Sequence, residues 1–466
     1  MADPCTATPA PAARSTAHAS LAALGVKLRH LDLFGPIREC VQIPQKTVRY
    51  SPADKLYDAF IALLAGAHGL VELNQRLRAD PALQAAFGRS ACAEPSVVQD
   101  TLDACTAEHV SQLEQALDRI YQQHSQGYRH DYAQDWQSLD VDMSGLPCGT
   151  KAAFATRGYF AKQRNRRGRQ LGRVLATRYH EVVVDRLFSG TTQLNRAVLP
   201  LVLAAEQTLA LDEARRQRTL LRLDAGGGSV GDSNWLLARG YHVLAKDYST
   251  KRAQLLAESV AEWLTDSRQP ERQLGLVTTP ADCYHAGRYQ RTITRIAVRC
   301  RKANGQGGVG VVLATLSIAE AIALLGPEDR DATAATPLLA YVYLYDQRGG
   351  GVETTFKEDK QGLGLTKRNK KRFEAQQIVT GLGTLAHNVL VWARGWLVEH
   401  APRLRRFGIK RLVRDALGIS GRVEFDEAGR VRAVVLSRAD RLAHHLLAAL
   451  QALLTAEHIA VSLGET

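Results

Sequence analysis

The sequence lacks the closely spaced cysteine pairs that build zinc modules and disulfide frameworks. Its seven cysteines are scattered along the chain, and no two of them form a Cys-x-x-Cys pair. A structural zinc module is therefore not expected. The odd number and wide spacing of the cysteines are typical of a protein in a reducing cytoplasm.

Long apolar runs are also missing. The longest runs, such as AVLPLVLAA at 197–205, are far shorter than the roughly 20 residues that a transmembrane helix needs. The N-terminal stretch MADPCTATPAPAARSTAHAS is rich in Ala, Pro, Ser and Thr and has no apolar core of the kind found in signal peptides. These absences predict a protein without a membrane segment, whose N-terminal arm frays.

Positive charge, in contrast, is abundant. The chain of 466 residues has 60 Lys and Arg against 47 Asp and Glu, which gives a net charge of +13. This excess favours polyanionic partners, with nucleic acid first and anionic membrane surfaces second. The length suggests about two to four domains.

Helical patterns dominate residues 51–132. Ser51 and Pro52 match an N-cap followed by a first-turn proline, and apolar residues then recur at helical spacing. Small helical units at the front of a basic protein are often DNA-binding modules. A helical cap packed on the next domain is an equally good interpretation of the pattern.

Acidic residues mark the first predicted strand. The segment WQSLDVDMSG carries Asp140 and Asp142, which alternate onto one face of a strand. Two acids on an apolar strand are costly unless they bind a cation or lie at a solvated edge. The basic segment KQRNRRGRQ that follows is predicted to be a loop, either solvated or in contact with phosphate.

A glycine motif follows the strand that ends at Asp224. Gly226, Gly228 and Gly231 spell the G-x-G-x-x-G of dinucleotide-binding folds, and Asp247 stands where a ribose-binding acid is expected. Arg222 and Asp224 do not suit this interpretation, since Asp224 would face the pyrophosphate. An NAD(P)-dependent oxidoreductase is kept as the less favoured alternative.

The segment YDQRGGGVETTFKEDK begins after the apolar run LLAYVYLY, which predicts a buried strand. Glu353, Lys357 and Lys360 then follow at helical spacing and would share one helix face. A charged surface helix has the same pattern. Asp142, Asp224 and Glu353 thus all follow apolar segments, and three convergent carboxylates suit Mg²⁺ or Mn²⁺. Such a site is typical of phosphoryl transfer.

These residues resemble the DDE transposases of bacterial insertion sequences, in the branch with a Tyr-Arg-Glu-Lys signature (insertion sequence family four and its relatives). Tyr345, Arg348, Glu353 and Lys360 follow the signature, except that four residues rather than three separate the arginine from the glutamate. The extra residue falls in a run of three glycines. Asp142, followed by Met143 and Ser144, matches the Asp-x-Thr/Ser pattern of the family's first acid. Asp140 matches this pattern less well.

The resemblance implies an α/β fold with an RNase H-like (retroviral integrase superfamily) catalytic core, interrupted by a β-rich insertion and preceded by an all-α region. The implied organisation is a partly disordered arm (1–50), a helical DNA-binding region (51–132), the first part of the core (133–246), the insertion (247–337), the second part of the core (338–400) and a C-terminal region for DNA contact or dimerisation (401–466).

The implied activity is cut-and-paste transposition by end nicking, hairpin formation and resolution, and strand transfer. Asp142, Asp224 and Glu353 would be the catalytic metal ligands for Mg²⁺, with Mn²⁺ as a substitute. DNA phosphates would be held by four residues: Tyr345, Arg348, Lys357 and Lys360. The expected partner is double-stranded DNA, bound by a homodimer in the bacterial cytoplasm at the nucleoid. A transposase-derived DNA-binding protein without catalytic activity is the first alternative.

Overall fold

The computed structural model describes residues 12–46, 49–160, 163–247, 249–279, 289–301 and 307–465. The chain divides into two compact units. The central unit comprises residues 125–356, and the terminal unit combines residues 1–124 with residues 357–466.

The strands are β1 (Ala12–Thr16), β2 (Gln137–Pro147), β3 (Thr156–Phe160), β4 (Gln163–Ala176), β5 (Glu181–Ser189), β6 (Thr219–Leu223), β7 (His242–Lys246), β8 (Leu264–Thr265), β9 (Arg272–Leu276), β10 (Thr294–Arg301), β11 (Gly307–Ala314), β12 (Gly421–Phe425), β13 (Val431–Ser437) and β14 (Ala460–Gly464).

The α-helices are α1 (Ala19–His30), α2 (Gly35–Cys40), α3 (Pro52–Leu64), α4 (Pro81–Ala86), α5 (Pro95–Asp103), α6 (Ala107–His124), α7 (Leu194–Leu209), α8 (Glu213–Gln217), α9 (Val230–Ala238), α10 (Thr250–Ala257), α11 (Ile318–Ala323), α12 (Pro327–Thr333), α13 (Leu339–Arg348), α14 (Thr354–Gly362), α15 (Phe373–Leu397), α16 (Ile409–Arg411) and α17 (Arg441–Leu454).

One mixed sheet forms the centre of the central unit. Its described strands run in the order β3-β4-β2-β6-β7-β11-β10-β9-β8, and β5 pairs with β4. The strands β2, β4 and β5 are antiparallel neighbours, whereas β6 lies parallel to β2 and β7 parallel to β6. The middle strand β2 therefore has an antiparallel partner on one side and a parallel partner on the other.

The strands predicted as an insertion continue this same sheet. β11 pairs antiparallel with β7, and β10, β9 and β8 follow outward. The described strands β8 to β11 therefore extend the central sheet, whereas the sequence pattern alone indicated only that residues 247–337 are rich in strands.

The terminal unit has a buried long helix and a smaller sheet. Helix α15 buries Leu385, Val389 and Trp392, as its apolar spacing predicts. The sheet runs β1-β12-β13-β14, with β14 parallel to β13. Within the segment GRVEFDEAGRVRAVVL, β12 and β13 pair antiparallel.

Three sequence predictions are wrong. The run LLAYVYLY lies in helix α13 rather than in a strand, because it is buried on nearly all sides and so shows no period. The segment KQRNRRGRQ contributes to strand β4 rather than to a loop, since its first part pairs with β3 and its last residues pair with β2 and β5. The region before residue 51 contains β1, α1 and α2, so residues 12–46 form regular secondary structure rather than a frayed arm.

Candidate active site

The two acids of β2 lie on one strand face but differ in role. Asp140 is fully buried, and its carboxylate accepts hydrogen bonds from Nε and Nη2 of Arg222 at 2.6 and 3.1 Å. The Nη1 atom of Arg222 donates to the carbonyl oxygen of Leu344 at 2.7 Å. Asp140 therefore ties β2, β6 and α13 together, and its charge is neutralised within the fold.

Asp142, two residues further along β2, has a side chain that is 18% exposed. Its Oδ1 accepts a hydrogen bond from its neighbour's backbone N–H at 2.7 Å, and its Oδ2 lies 3.4 Å from Nη2 of Arg348. Burial raises the pKa of Asp142 to about 6, against the opposing effect of Arg348. Asp224 and Glu353 raise this pKa further, so the three carboxylates are electrostatically coupled.

The raised pKa of Asp142 leads to a prediction about the stability of the metal-free protein. Because the folded pKa of about 6 exceeds the ordinary value of 3.8, the carboxyl favours folding when protonated. That contribution is lost as pH rises from about 4 to 6. Asp142→Asn is therefore expected to match the wild type near pH 4 and to be more stable by about 2 kcal/mol above pH 7. Urea unfolding in chelator at several pH values measures the difference, and equal stability at all of them would contradict it.

Asp224 follows β6 and is exposed at the start of a short 3₁₀ turn. The hydroxyl of Tyr345 donates to its Oδ1 at 3.3 Å. Burial raises the pKa of the Tyr345 hydroxyl, and the charge of Asp224 adds to that rise while Arg348 opposes it. Tyr345 therefore stays protonated and remains a donor to Asp224.

Arg348 lies one helical turn after Tyr345 on α13 and is 3% exposed. Its Nη1 donates to the Tyr345 hydroxyl at 3.5 Å. Burial lowers the pKa of Arg348, but the nearby carboxylates, Asp142 first, outweigh burial and raise it. Its Nε and Nη2 atoms are buried and have no hydrogen-bond partner among the described residues. Such donors are costly unless a ligand satisfies them.

Glu353 ends a π-helical turn, Gly349–Glu353, and is exposed. The turn is not a continuous helix, because Gly351 has non-helical φ and ψ angles (−88° and −112°) that kink the chain between α13 and α14. The extra residue of the signature falls in this turn. A Cβ at Gly351 would lie 2.5 Å from Oδ2 of Asp140 and 3.0 Å from Cγ2 of Thr177. Only glycine allows this approach.

Lys357 and Lys360 lie on α14, the former exposed and the latter half-buried. The unit boundary passes through this helix, and both lysines belong to the terminal unit. The central unit alone thus contains five of the seven predicted site residues. Four of them form a chain of contacts (Asp142, Arg348, Tyr345 and Asp224), and Glu353 joins them through its charge.

One positioning contact was missed from the sequence. Arg173 on β4 is 1% exposed and pairs with Asp185 on β5 through two hydrogen bonds of 2.8 Å. Its Nη1 donates to the hydroxyl of Thr355 at 3.3 Å, and its guanidinium lies 4.6 Å from the ring centroid of Phe356. These contacts fix the chain directly after Glu353. In the sequence, the only indication of a role for Arg173 was the excess of Lys and Arg in this part of the chain. A solvated loop explains that excess equally well.

The donor set suits a hard cation, because all three predicted ligands are carboxylates, and Asp224 and Glu353 lie close enough to raise the pKa of Asp142. As the side chains are placed, however, no group of three His, Cys, Asp or Glu residues in the described parts of the chain could hold a metal ion. The Arg348 and Tyr345 side chains contact two of the carboxylates instead.

The G-x-G-x-x-G segment forms a strand–turn–helix–strand step from β6 to β7. Asp247, the predicted ribose acid, is 5% exposed and accepts a hydrogen bond from Nε of Arg252 at 3.0 Å. A Cβ at Gly228 would lie 2.1 Å from the carbonyl oxygen of Lys246. Close packing of the turn on β7 thus accounts for one of the motif's glycines.

Across the residues that the structure describes, no helix combines the length and the apolar character needed to span a bilayer. A scan against protein-family models finds no match, and a search of curated proteins finds none either. Among solved structures, the chain is similar to the piggyBac transposase in a cryo-EM structure of its synaptic complex with hairpin DNA. The TM-score is 0.47 at 12% sequence identity, over 84% of this chain and 79% of that one.

Proposed function

We propose that this protein is a DDE transposase that carries out metal-dependent cut-and-paste transposition of an insertion sequence. The observation that carries the proposal is the chain of contacts that joins Asp142 to Asp224 through Arg348 and Tyr345, with Glu353 close enough to raise the pKa of Asp142. These acids come from β2, from the end of β6 and from the turn after α13. Carboxylates so distant in sequence are costly to bring together unless a cation compensates them.

The sheet order supports an RNase H-like core. Such a core needs an antiparallel meander followed by parallel strands, with the first acid on the middle strand. The strands β2, β4, β5, β6 and β7 have this order, and Asp142 lies on β2.

The proposed cation is Mg²⁺, with Mn²⁺ as a substitute, held by Asp142, Asp224 and Glu353. When bound, it would activate water or a 3′-hydroxyl and stabilise the leaving oxygen in phosphoryl transfer. The protein's own part is to position the carboxylates. Asp140 with Arg222 anchors β2 against α13, and Arg173 fixes the chain after Glu353.

DNA is the proposed substrate, and Arg348 supports this most directly. Its buried Nε and Nη2 donors have no hydrogen-bond partner, and phosphate oxygens would satisfy them. Tyr345, Lys357 and Lys360 are proposed to contact the same DNA. The net charge of +13 favours binding to the phosphate backbone. A homodimer on paired transposon ends, acting at the bacterial nucleoid, completes the proposal.

The test is a cleavage assay on a DNA duplex that carries the inverted repeat found beside the gene. Nicked and hairpin products are expected with Mg²⁺ or Mn²⁺, and none after chelation, because the carboxylates need the cation. A duplex of scrambled sequence is the control. Specific binding without cleavage in either metal would favour the catalytically inactive DNA-binding protein. Tight NAD(P) binding without cleavage would favour the oxidoreductase.

A further inference from the structure

Two side chains of helix α13 connect Asp142 to Asp224 through three contacts. Arg348 Nη2 lies 3.4 Å from Asp142 Oδ2, and Arg348 Nη1 donates to the Tyr345 hydroxyl at 3.5 Å. The hydroxyl in turn donates to Asp224 Oδ1 at 3.3 Å. An arginine and a tyrosine therefore join the two carboxylates that the proposed function assigns to a shared cation.

We propose that Arg348 and Tyr345 hold these carboxylates closed in the metal-free protein, with Arg348 as an internal substitute for the metal. Divalent cation binding then requires that both side chains release their carboxylates. This inference rests on the proposed function, since it takes Asp142 and Asp224 as metal ligands.

The charge distribution supports the proposal that Arg348 takes the place of the metal. Arg348 is 3% exposed, so water does little to screen its charge. The acids that stabilise its charged form are Asp142, Asp140 and Asp224. Asp140 is already neutralised by Arg222. Arg348 is therefore the counter-charge for the two remaining acids, as a bound cation would be.

The unsatisfied donors of Arg348 indicate which group it binds after it releases Asp142. Nε and Nη2 have no hydrogen-bond partner in the closed arrangement, so the contact with Asp142 satisfies the charge but not the donors. Phosphate oxygens would satisfy both. When a DNA phosphate binds Arg348, Asp142 becomes free to bind the cation. Binding of DNA and binding of the cation should therefore strengthen each other.

The test measures Mn²⁺ affinity of the DNA-free protein by electron paramagnetic resonance, with no activity readout. Arg348→Met keeps the side chain's length and removes its charge, and we expect it to bind Mn²⁺ about tenfold more tightly than the wild type. Tyr345→Phe removes only the hydroxyl and should tighten binding about twofold to threefold. Arg291→Ala, an exposed site in the same unit, controls for lost positive charge and should bind as the wild type does.

Unchanged or weaker Mn²⁺ affinity in Arg348→Met, with Asp142-dependent binding in the wild type, would overturn the inference and leave the proposed function standing. If Asp142→Asn binds Mn²⁺ as the wild type does, the metal site itself is wrong, and the proposed function fails with it. Thermal unfolding of each variant identifies loss of fold. Should Arg348→Met be unfolded, Tyr345→Phe alone decides the outcome, and unchanged affinity there overturns the inference.

Discussion

Glu353→Gln is expected to lower Mg²⁺-dependent cleavage of the transposon end by about 1,000-fold, which corresponds to about 4 kcal/mol of lost transition-state stabilisation. The amide keeps the shape of the side chain but removes its charge. Glu353 is exposed, so the change should not disturb packing. DNA binding should stay within about threefold of the wild type, because DNA contact is assigned to other residues.

Single-turnover cleavage and electrophoretic mobility shift on the same duplex separate the two effects. Glu262→Gln is the matched control, since Glu262 is also exposed in the central unit and is assigned no role. It should cleave as the wild type does. Full cleavage by Glu353→Gln would remove Glu353 from the site.

Gly351→Ala is expected to destabilise the protein by about 2 kcal/mol and to lower cleavage by about 100-fold. The new methyl group would meet Asp140 Oδ2 at 2.5 Å. Asp140 cannot move freely, because it is fully buried and paired with Arg222. The turn must shift instead, and Glu353 at its end would shift with it.

The neighbouring glycines supply a control within the same turn. Among the described residues, a Cβ at Gly349 or Gly350 would meet no heavy atom within 4 Å beyond the adjoining backbone, so Gly350→Ala is expected to leave stability within about 0.5 kcal/mol of the wild type. Urea unfolding and the cleavage assay compare the two variants. Equal behaviour of Gly350→Ala and Gly351→Ala would contradict the close approach.

Local patterns in the sequence predict the elements whose faces differ in polarity. The strand with Asp140 and Asp142 is confirmed, and helices α7 and α17 each bury apolar residues that recur at helical spacing. Helix α13 could not be predicted, because an apolar run buried on nearly all sides has no visible period. Glu353 therefore lies at the end of the turn after helix α13, and not after a strand as the sequence predicts.

The contacts that organise the site join residues far apart in the chain, so no local pattern reveals them. Asp140 and Arg222 are 82 positions apart, and Arg173 and Thr355 are 182 apart. The motif spacing predicted Arg348 as a site residue, but it did not indicate that the guanidinium of Arg348 would lie beside Asp142. The extra residue in the signature lies in the glycine turn, where Gly351 kinks the chain between α13 and α14.

The most direct test of the central claim is metal rescue of a ligand variant. Asp224→Cys replaces a hard oxygen with a sulfur atom, which binds Mg²⁺ poorly and softer divalent ions better. If Asp224 is a metal ligand, this variant should lose cleavage in Mg²⁺ and regain a substantial part of it in Mn²⁺, while Asp224→Ala should stay inactive in both. Equal cleavage of Asp224→Cys and the wild type in Mg²⁺, or equal loss in both metals for the cysteine and alanine variants, would contradict the assignment.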